Sequence, residues 1–437
     1  MTPDLRPPRP PEELKEIART LERAGHETWV VGGVLRDWII GLKGGDWDLA
    51  TGARPGMVRS LFRRTVPVGL DHGTVGVFWG GGRTLYQVTT FRKDVETDGR
   101  RAVVRFAERV EDDLARRDFT INALAWHPLR DEWLDLHGGR RDLEAGVLRA
   151  VGVAEARFGE DFLRILRGLR FAGRLDLGIE PRTWKAMCAT VENLVRLSAE
   201  RVREELVKVL SDTRPGVALR LYADSGALGA LYPEIAAFPA PVWEATLEAV
   251  DYLPPTKPYL RLAALLRSCG LVAVEGLAER LKLSRVEGRM LVSVVKALPV
   301  PALAASDAEL RRWLSEHGRD ALGPAIQLEI AHAATRGKEL PRTPDGESGP
   351  EAADNDGPDV RALIGALRRM RILLDRGDPL GVSDLAITGD DLLRMGIEPG
   401  PLLGRTLRRL LEEVIEDPDM NRTTVLETRA RTWAARG

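Results

Sequence analysis

Cysteine is nearly absent: 437 residues include Cys188 and Cys269 alone, far apart and outside any C-x-x-C spacing. Neither a disulfide framework nor a thiolate metal centre is indicated, and a reducing, cytoplasmic setting is expected. Excess charge of one sign is missing too, since 64 Lys plus Arg stand against 65 Asp plus Glu. Net charge gives no reason to expect a nucleic-acid partner, so any phosphate-binding surface has to be local. No run approaches the roughly 18 uninterrupted apolar residues that a membrane span requires. The proline-rich start, followed by the charged Glu12 to Arg23 segment, lacks the apolar core of a secretion signal. The six histidines form no H-x-x-x-H pair, so a zinc site is not expected.

What is present is enough to fold. Hydrophobic residues make up 44% and charged residues 30%, and a chain of this length predicts more than one domain. Leu14, Ile17, Ala18 and Leu21 have helical spacing, with Gly25 as the stop. Thr28 to Val31 reads as a strand ending at Gly32-Gly33, and Val34 to Leu42 as a helix. Further strand-like runs are Trp47 to Ala50, Thr74 to Trp79 and Thr84 to Thr90, which predicts a mixed α/β unit over residues 1–150. From Ala154 onward the pattern is helical, with helices expected over Phe158 to Arg174, Pro181 to Asn193, Ala199 to Leu210 and Pro215 to Asp224. Thr335 to Pro358 is rich in Gly, Pro, Asp and Glu and reads as a linker. The expected division is 1–150, 151–212, 213–333, 334–358 and 359–437.

Gly32-Gly33 falls where a strand turns into a helix, a place where backbone N–H groups are unpaired and a phosphate can come close. Arg36 follows one turn later. An isolated diglycine is equally an ordinary turn. In a strand, Asp46 and Asp48 point to one face and can converge on one hard cation, although an Asp-x-Asp is also commonly a solvated surface pair. On a helix, Asp161 and Arg164 are three apart and share a face. Cytosine offers an amino donor beside a ring-nitrogen acceptor, and adenine presents the same pair. A carboxylate with a guanidinium matches both, whereas uracil and guanine reverse the order and leave buried mismatches. The competing account is an i, i+3 surface ion pair. Arg164, Arg167, Arg170 and Arg174 make a basic stripe that can face triphosphate or primer, or simply solvent.

Val31-Gly-Gly-Val-Leu-Arg-Asp37 with Gly45-Asp-Trp-Asp-Leu-Ala-Thr51 resembles the signature of the nucleotidyltransferase superfamily that holds class II tRNA nucleotidyltransferases and bacterial poly(A) polymerases. Gly69–Val75, Tyr86–Arg92, Arg116–Ala123 and Gly159–Arg167 resemble the family's further motifs in the expected order. The resemblance implies an α/β nucleotidyltransferase head followed by all-α neck, body and tail. It implies Mg²⁺ on Asp46 and Asp48 in a two-metal mechanism, with ATP and CTP as substrates. Gly32, Gly33 and Arg36 would hold the triphosphate, Asp118 would accept from the ribose 2′-OH, and Arg117, Asn122 and Arg167 would supply further nucleotide contacts. Asp161 and Arg164 would read the base, with Glu160 orienting Arg164.

Gln87 stands where the family commonly has Glu, so it is either structural or a contact to metal-bound water. Glu200-Arg201 with Glu205 would brace the template helix. Asp94–Arg100 resembles the flexible loop associated with A addition. Leu262–Leu266 continues into Arg267-Ser-Cys-Gly without a His-Asp pair, so no phosphohydrolase activity is expected. The implied partner is a tRNA 3′ end, with no membrane and no oligomeric state specified. Addition of A alone, poly(A) synthesis and a catalytically silent RNA-binding protein are the alternatives.

Overall fold

Leu14, Ile17, Ala18 and Leu21 are completely buried, which is why Glu12–Arg23 forms the amphipathic helix α1. Gly25, at φ +83°, ends it in a conformation that an L side chain resists. The computed structural model describes residues 9–42, 44–69, 73–97, 102–336 and 360–434. It separates into two units, 1–237 and 238–437.

In the first unit, β1 (Thr28–Val31), α2 (Gly33–Ile39) and β2 (Asp48–Thr51) are followed by α3 (Pro55–Leu61), β3 (Thr65–Gly69), β4 (Thr74–Phe78) and β5 (Leu85–Thr90). A separate ribbon of β6 (Arg92–Thr97) and β7 (Ala102–Phe106) leads into α4 (Val110–Ala115), β8 (Ala125–His127) and β9 (Glu132–Leu134). Seven strands form one sheet in the order β3-β4-β5-β2-β1-β8-β9, with β2 and β5 parallel and the other neighbours antiparallel. On one face Val30, Leu49, Val75, Val77 and Val88 are wholly buried, and α1 and α3 pack on these strands. On the other, Trp29, Val31, Ala50 and Ala125 form a core with Val110 and Leu114 of α4. The alternation of side chains along the strands thus fixes which face each polar residue occupies.

The chain continues through α5 (Gly139–Glu144), β10 (Val147–Leu148), α6 (Ala154–Glu160), α7 (Leu163–Leu175), β11 (Gly178–Ile179), α8 (Pro181–Thr190), α9 (Ala199–Leu210), α10 (Pro215–Asp224), α11 (Ala227–Leu231) and α12 (Pro233–Ala236). Two expectations need correction here. The single helix over Phe158 to Arg174 is broken, because Asp161 is extended at φ −157° and its Oδ1 accepts from Leu163 N at 3.1 Å. A short carboxylate that bonds its local backbone competes with the helix ladder and starts α7 afresh. The segment expected as a flexible loop at Asp94–Arg100 is strand through Thr97, paired Asp94↔Val104, Glu96↔Val103 and Thr97↔Ala102; residues 98–101 lie outside the described residues.

In the second unit α13 (Ala240–Tyr252), α14 (Pro258–Leu266), α15 (Leu271–Arg280) and α16 (Arg285–Lys296) precede α17 (Asp307–Arg336), which is interrupted at Gly318 (φ +77°). Thr335 and Arg336, expected to open the linker, belong to α17; the rest of that expected segment, residues 337–359, lies outside the described residues. α18 (Val360–Arg376), α19 (Gly389–Arg394), α20 (Pro401–Glu416) and α21 (Thr423–Ala434) complete the chain. Leu310, Trp313, Ile326 and Met370 centre one core, and Leu392, Leu410, Val414 and Leu426 another. Among the described residues no helix is long and apolar enough to cross a membrane.

Candidate active site

The last rung between β1 and β2 pairs Val31 with Asp48. Beyond it β1 turns at Gly32 (φ +91°) into α2, so Asp46 has no strand partner. It lies exposed before β2 begins, just after Gly44 and Gly45, both at positive φ. The expectation that both aspartates share a strand face is therefore wrong for Asp46. The two charges nevertheless act on one another. Burial, and then the Asp46 charge, push the Asp48 carboxyl up to about 6, while Arg117 opposes them. Asp48 Oδ1 is buried with no hydrogen-bond partner. An ionisable oxygen in that condition fits a cation, and Gln87 on β5 stands directly in register beside it. Among the described residues no three His, Cys, Asp or Glu side chains cluster as a ready-made metal site.

Asp48 opens onto a cavity of about 490 Å³ lined by Gly32, Gly33, Arg36, Arg92, Arg116, Arg117, Asp118, Asn122, Asp161, Leu163, Arg164, Arg167, Phe171 and Arg201. Seven arginines thus face three aspartates. Each of several guanidiniums is already aimed. Arg36, 4% exposed, donates to Asp37 Oδ1 at 2.8 Å and to Asn122 Oδ1 at 2.6 Å, and lies over the Phe171 ring. Arg116 and Arg117 donate to the buried Asp113 at 3.2 and 3.0 Å, and Arg117 also reaches Asn122 O. Asp118 accepts from Arg167 Nε at 2.7 Å, Asn122 Nδ2 at 3.0 Å and Phe119 N at 2.9 Å. Although burial alone raises it, Arg167 and these donors hold the Asp118 carboxyl down at about 2.

The break after α6 places Asp161 and Arg164 differently from a shared helix face, yet both line the cavity. Asp161 Oδ2 accepts from Arg201 at 2.7 Å, and Arg164 donates to Glu160 at 2.5 Å and to Arg157 O at 3.2 Å. Glu160 thus contacts Arg164, and Arg201 contacts Asp161. Glu205, almost wholly buried, pairs with Arg170 at 2.7 Å. That pairing corrects the basic stripe: Arg170 is a brace, and Arg174 turns to Asp212 and Asp37 at 3.6 and 3.9 Å. Only Arg164 and Arg167 of the four face the cavity.

Residues 28–149 match the model described as "Poly A polymerase head domain", 176–238 that of "Probable RNA and SrmB- binding site of polymerase A", and 381–430 a tRNA nucleotidyltransferase domain 2. A CCA-adding enzyme of Leuconostoc mesenteroides is 46% identical over 211 residues, 48% of this chain and 52% of its own. A CCA-adding enzyme of Levilactobacillus brevis is 32% identical across 93% of this chain and 94% of its own. The chain belongs to the CCA-adding enzyme family. The crystal structure of the Bacillus stearothermophilus CCA-adding enzyme in complex with CTP superposes with a TM-score of 0.73 at 27% identity, covering 98% of this chain and 99% of that one.

Three features of this CCA-adding family member went unread in the sequence. Asp113 precedes Arg116 and Arg117 by three and four residues, a helical spacing that was there to find. Phe171 lies under Arg36, Arg167 and Arg170, with guanidinium carbons 4.9, 5.3 and 4.4 Å from its ring centroid; a lone aromatic in an amphipathic helix gives no such signal. Arg92 and Arg116 join the lining from motif edges.

Proposed function

We propose that this nucleotidyltransferase adds C and A to tRNA 3′ ends, with Asp48, Asp46 and the Gln87 amide holding Mg²⁺ and the arginine-lined cavity binding CTP or ATP. The observation that carries this is the buried, unpartnered oxygen of Asp48, which lines a cavity together with Asp161 and Arg164. A terminal phosphate carries about −1.5 to −2 near pH 7, and seven arginines against three aspartates on the lining suit a triphosphate. When bound, Mg²⁺ supplies activation of the attacking 3′-hydroxyl and charge neutralisation on the departing pyrophosphate.

The protein's own part is positioning. Gly32 and Gly33 leave room for phosphate at the turn, and Arg36 and Arg117 fix the phosphate end. Asp118, ionised across the neutral range, accepts from the ribose 2′-OH, the donor that separates ribo- from deoxyribonucleotides. Asp161 and Arg164 accept from and donate to the edge shared by C and A, so U and G leave unpaired polar atoms. The helical second unit holds the RNA body by phosphate contacts and shape. The free cysteines suit a cytoplasmic setting.

Purified protein with Mg²⁺, labelled nucleotides and tRNAs ending before C, after C and after CC tests the reading. Stepwise C, C and A addition is expected. A alone on the CC-ended acceptor would identify an A-adding enzyme, and long A tracts on unrelated RNA would identify a poly(A) polymerase.

A further inference from the structure

The register that puts Gln87 beside Asp48 continues across the sheet. Gln87 pairs with Gly76 on β4, and Gly76 with Val66 on β3, so Asp48, Gln87, Gly76 and Val66 form one row on one face. Gly76 leaves a gap in that row. A Cβ there would lie 2.6 Å from Leu85, 2.8 Å from Val66 and 2.9 Å from Val68, so those three side chains close over its backbone. The floor they make is open, with Val66 36%, Val68 46% and Leu85 41% exposed. Phe78, paired with Leu85, extends it, and the exposed Arg64 guanidinium stacks over Phe78 at 4.3 Å. The apolar core beneath α4 covers this face of the sheet over β1, β2 and β8.

We propose that the floor of Val66, Val68, Leu85, Phe78 and Arg64 seats the unpaired 3′ end of the RNA being extended and leads its last nucleotides to Asp48. The inference rests on the RNA-extending function proposed above. Contiguous exposed apolar side chains mark a surface that something covers. Bases offer apolar faces for such a floor and phosphates offer charge for Arg64, the pairing of stacking and cation that serves single strands. No carboxylate belongs to the floor. Three strand spacings separate β2 from β3, roughly 14 Å, which accommodates the last few nucleotides at about 3.4 Å per stacked step. A second copy of this chain fits less well, because Pro67 and the irregularity between Pro67 and Gly69 on β3 obstruct edge pairing.

All three aliphatic side chains are exposed, so Val66→Glu and Leu85→Glu should fold. Each should raise the tRNA KM at least about tenfold, leave the CTP KM within about twofold, and weaken a fluorescent single-stranded RNA ending in CC to the same degree. Leu85→Arg should retain or improve that RNA affinity. Unchanged RNA affinity and tRNA KM in both glutamate variants would overturn the proposal. So would a change of sedimentation behaviour with RNA affinity intact, which would make the floor a contact between copies. Wild-type protein that binds the oligonucleotide in a glutamate-sensitive way yet extends no RNA would leave the floor standing and remove the function on which it was argued.

Discussion

Asp48 carries a carboxyl that the fold holds well above its ordinary range. With its carboxyl at about 6, against an ordinary 3.8, the folded protein holds a proton that the unfolded chain has already released between about pH 4 and 6. Stability therefore falls as pH rises through that window, and the loss persists above it. Asp48→Asn removes the cost. In the presence of EDTA the variant should be more stable than wild type at pH 8, by on the order of 1–3 kcal/mol given partial exposure. The gain should vanish near pH 4. Urea unfolding at the two pH values measures it, and equal stabilities at pH 8 would show that the carboxylate is not strained. The same variant should lose transfer, and Mg²⁺ should no longer raise its Tm. Asp118 shows the opposite sign. Held at about 2, it contributes stability above the ordinary carboxylate range that is lost only as pH falls toward 2. Because Asp118 also anchors Arg167, Asp118→Ala should both narrow the ATP over dATP ratio of kcat/KM and raise the KM for ATP. An unchanged ratio would remove Asp118 from sugar selection.

At the scale of elements, the break between α6 and α7 matters more than any single contact. It turns Asp161 into a local cap whose other oxygen is held by Arg201. Arg201→Ala should therefore lower kcat/KM for CTP and ATP relative to UTP and GTP, by roughly fivefold or more if one such contact is worth about 1 to 3 kcal/mol. Equal losses for all four nucleotides would make Arg201 a general structural support. The sequence made α1, β1, α2, β4, β5 and most of the neck helices legible, since their apolar residues repeat with clear periods. It did not reveal the break, because Leu163, Ile165, Leu166 and Leu169 continue the helical pattern and Asp161 acts through one backbone bond. The short strands β8 to β11 and the ribbon were equally hidden: two to six residues leave little periodicity to read. Site residues were legible where motifs cluster, as with Gly32, Asp48, Asp118 and Arg164. Phe171 and Asp113 act by holding other residues, a role that appears only once the chain is folded.

At the scale of the whole molecule, near-neutral net charge means that RNA affinity has to come from particular faces. A basic face lies on α18, where Arg361, Arg368 and Arg371 are exposed along with Ile364 and Ile372, while Arg369 turns away to Asp307 and the carbonyls of Leu303 and Ala305. The first acidic residue of the helix is Asp375. If this face neutralises tRNA phosphates, binding should weaken with salt in proportion to the contacts made. Replacing both Arg368 and Arg371 by Gln should then raise the tRNA KM several-fold and reduce the steepness of log K against log salt by up to about two. The KM for CTP should not move, because the cavity proposed to bind it is lined by residues of the first unit alone. Filter binding at four salt concentrations, with steady-state kinetics on the same preparations, separates the terms. A salt dependence as steep as wild type's would place the RNA contacts on another face, and a raised CTP KM would show that the substitutions had disturbed the catalytic unit instead.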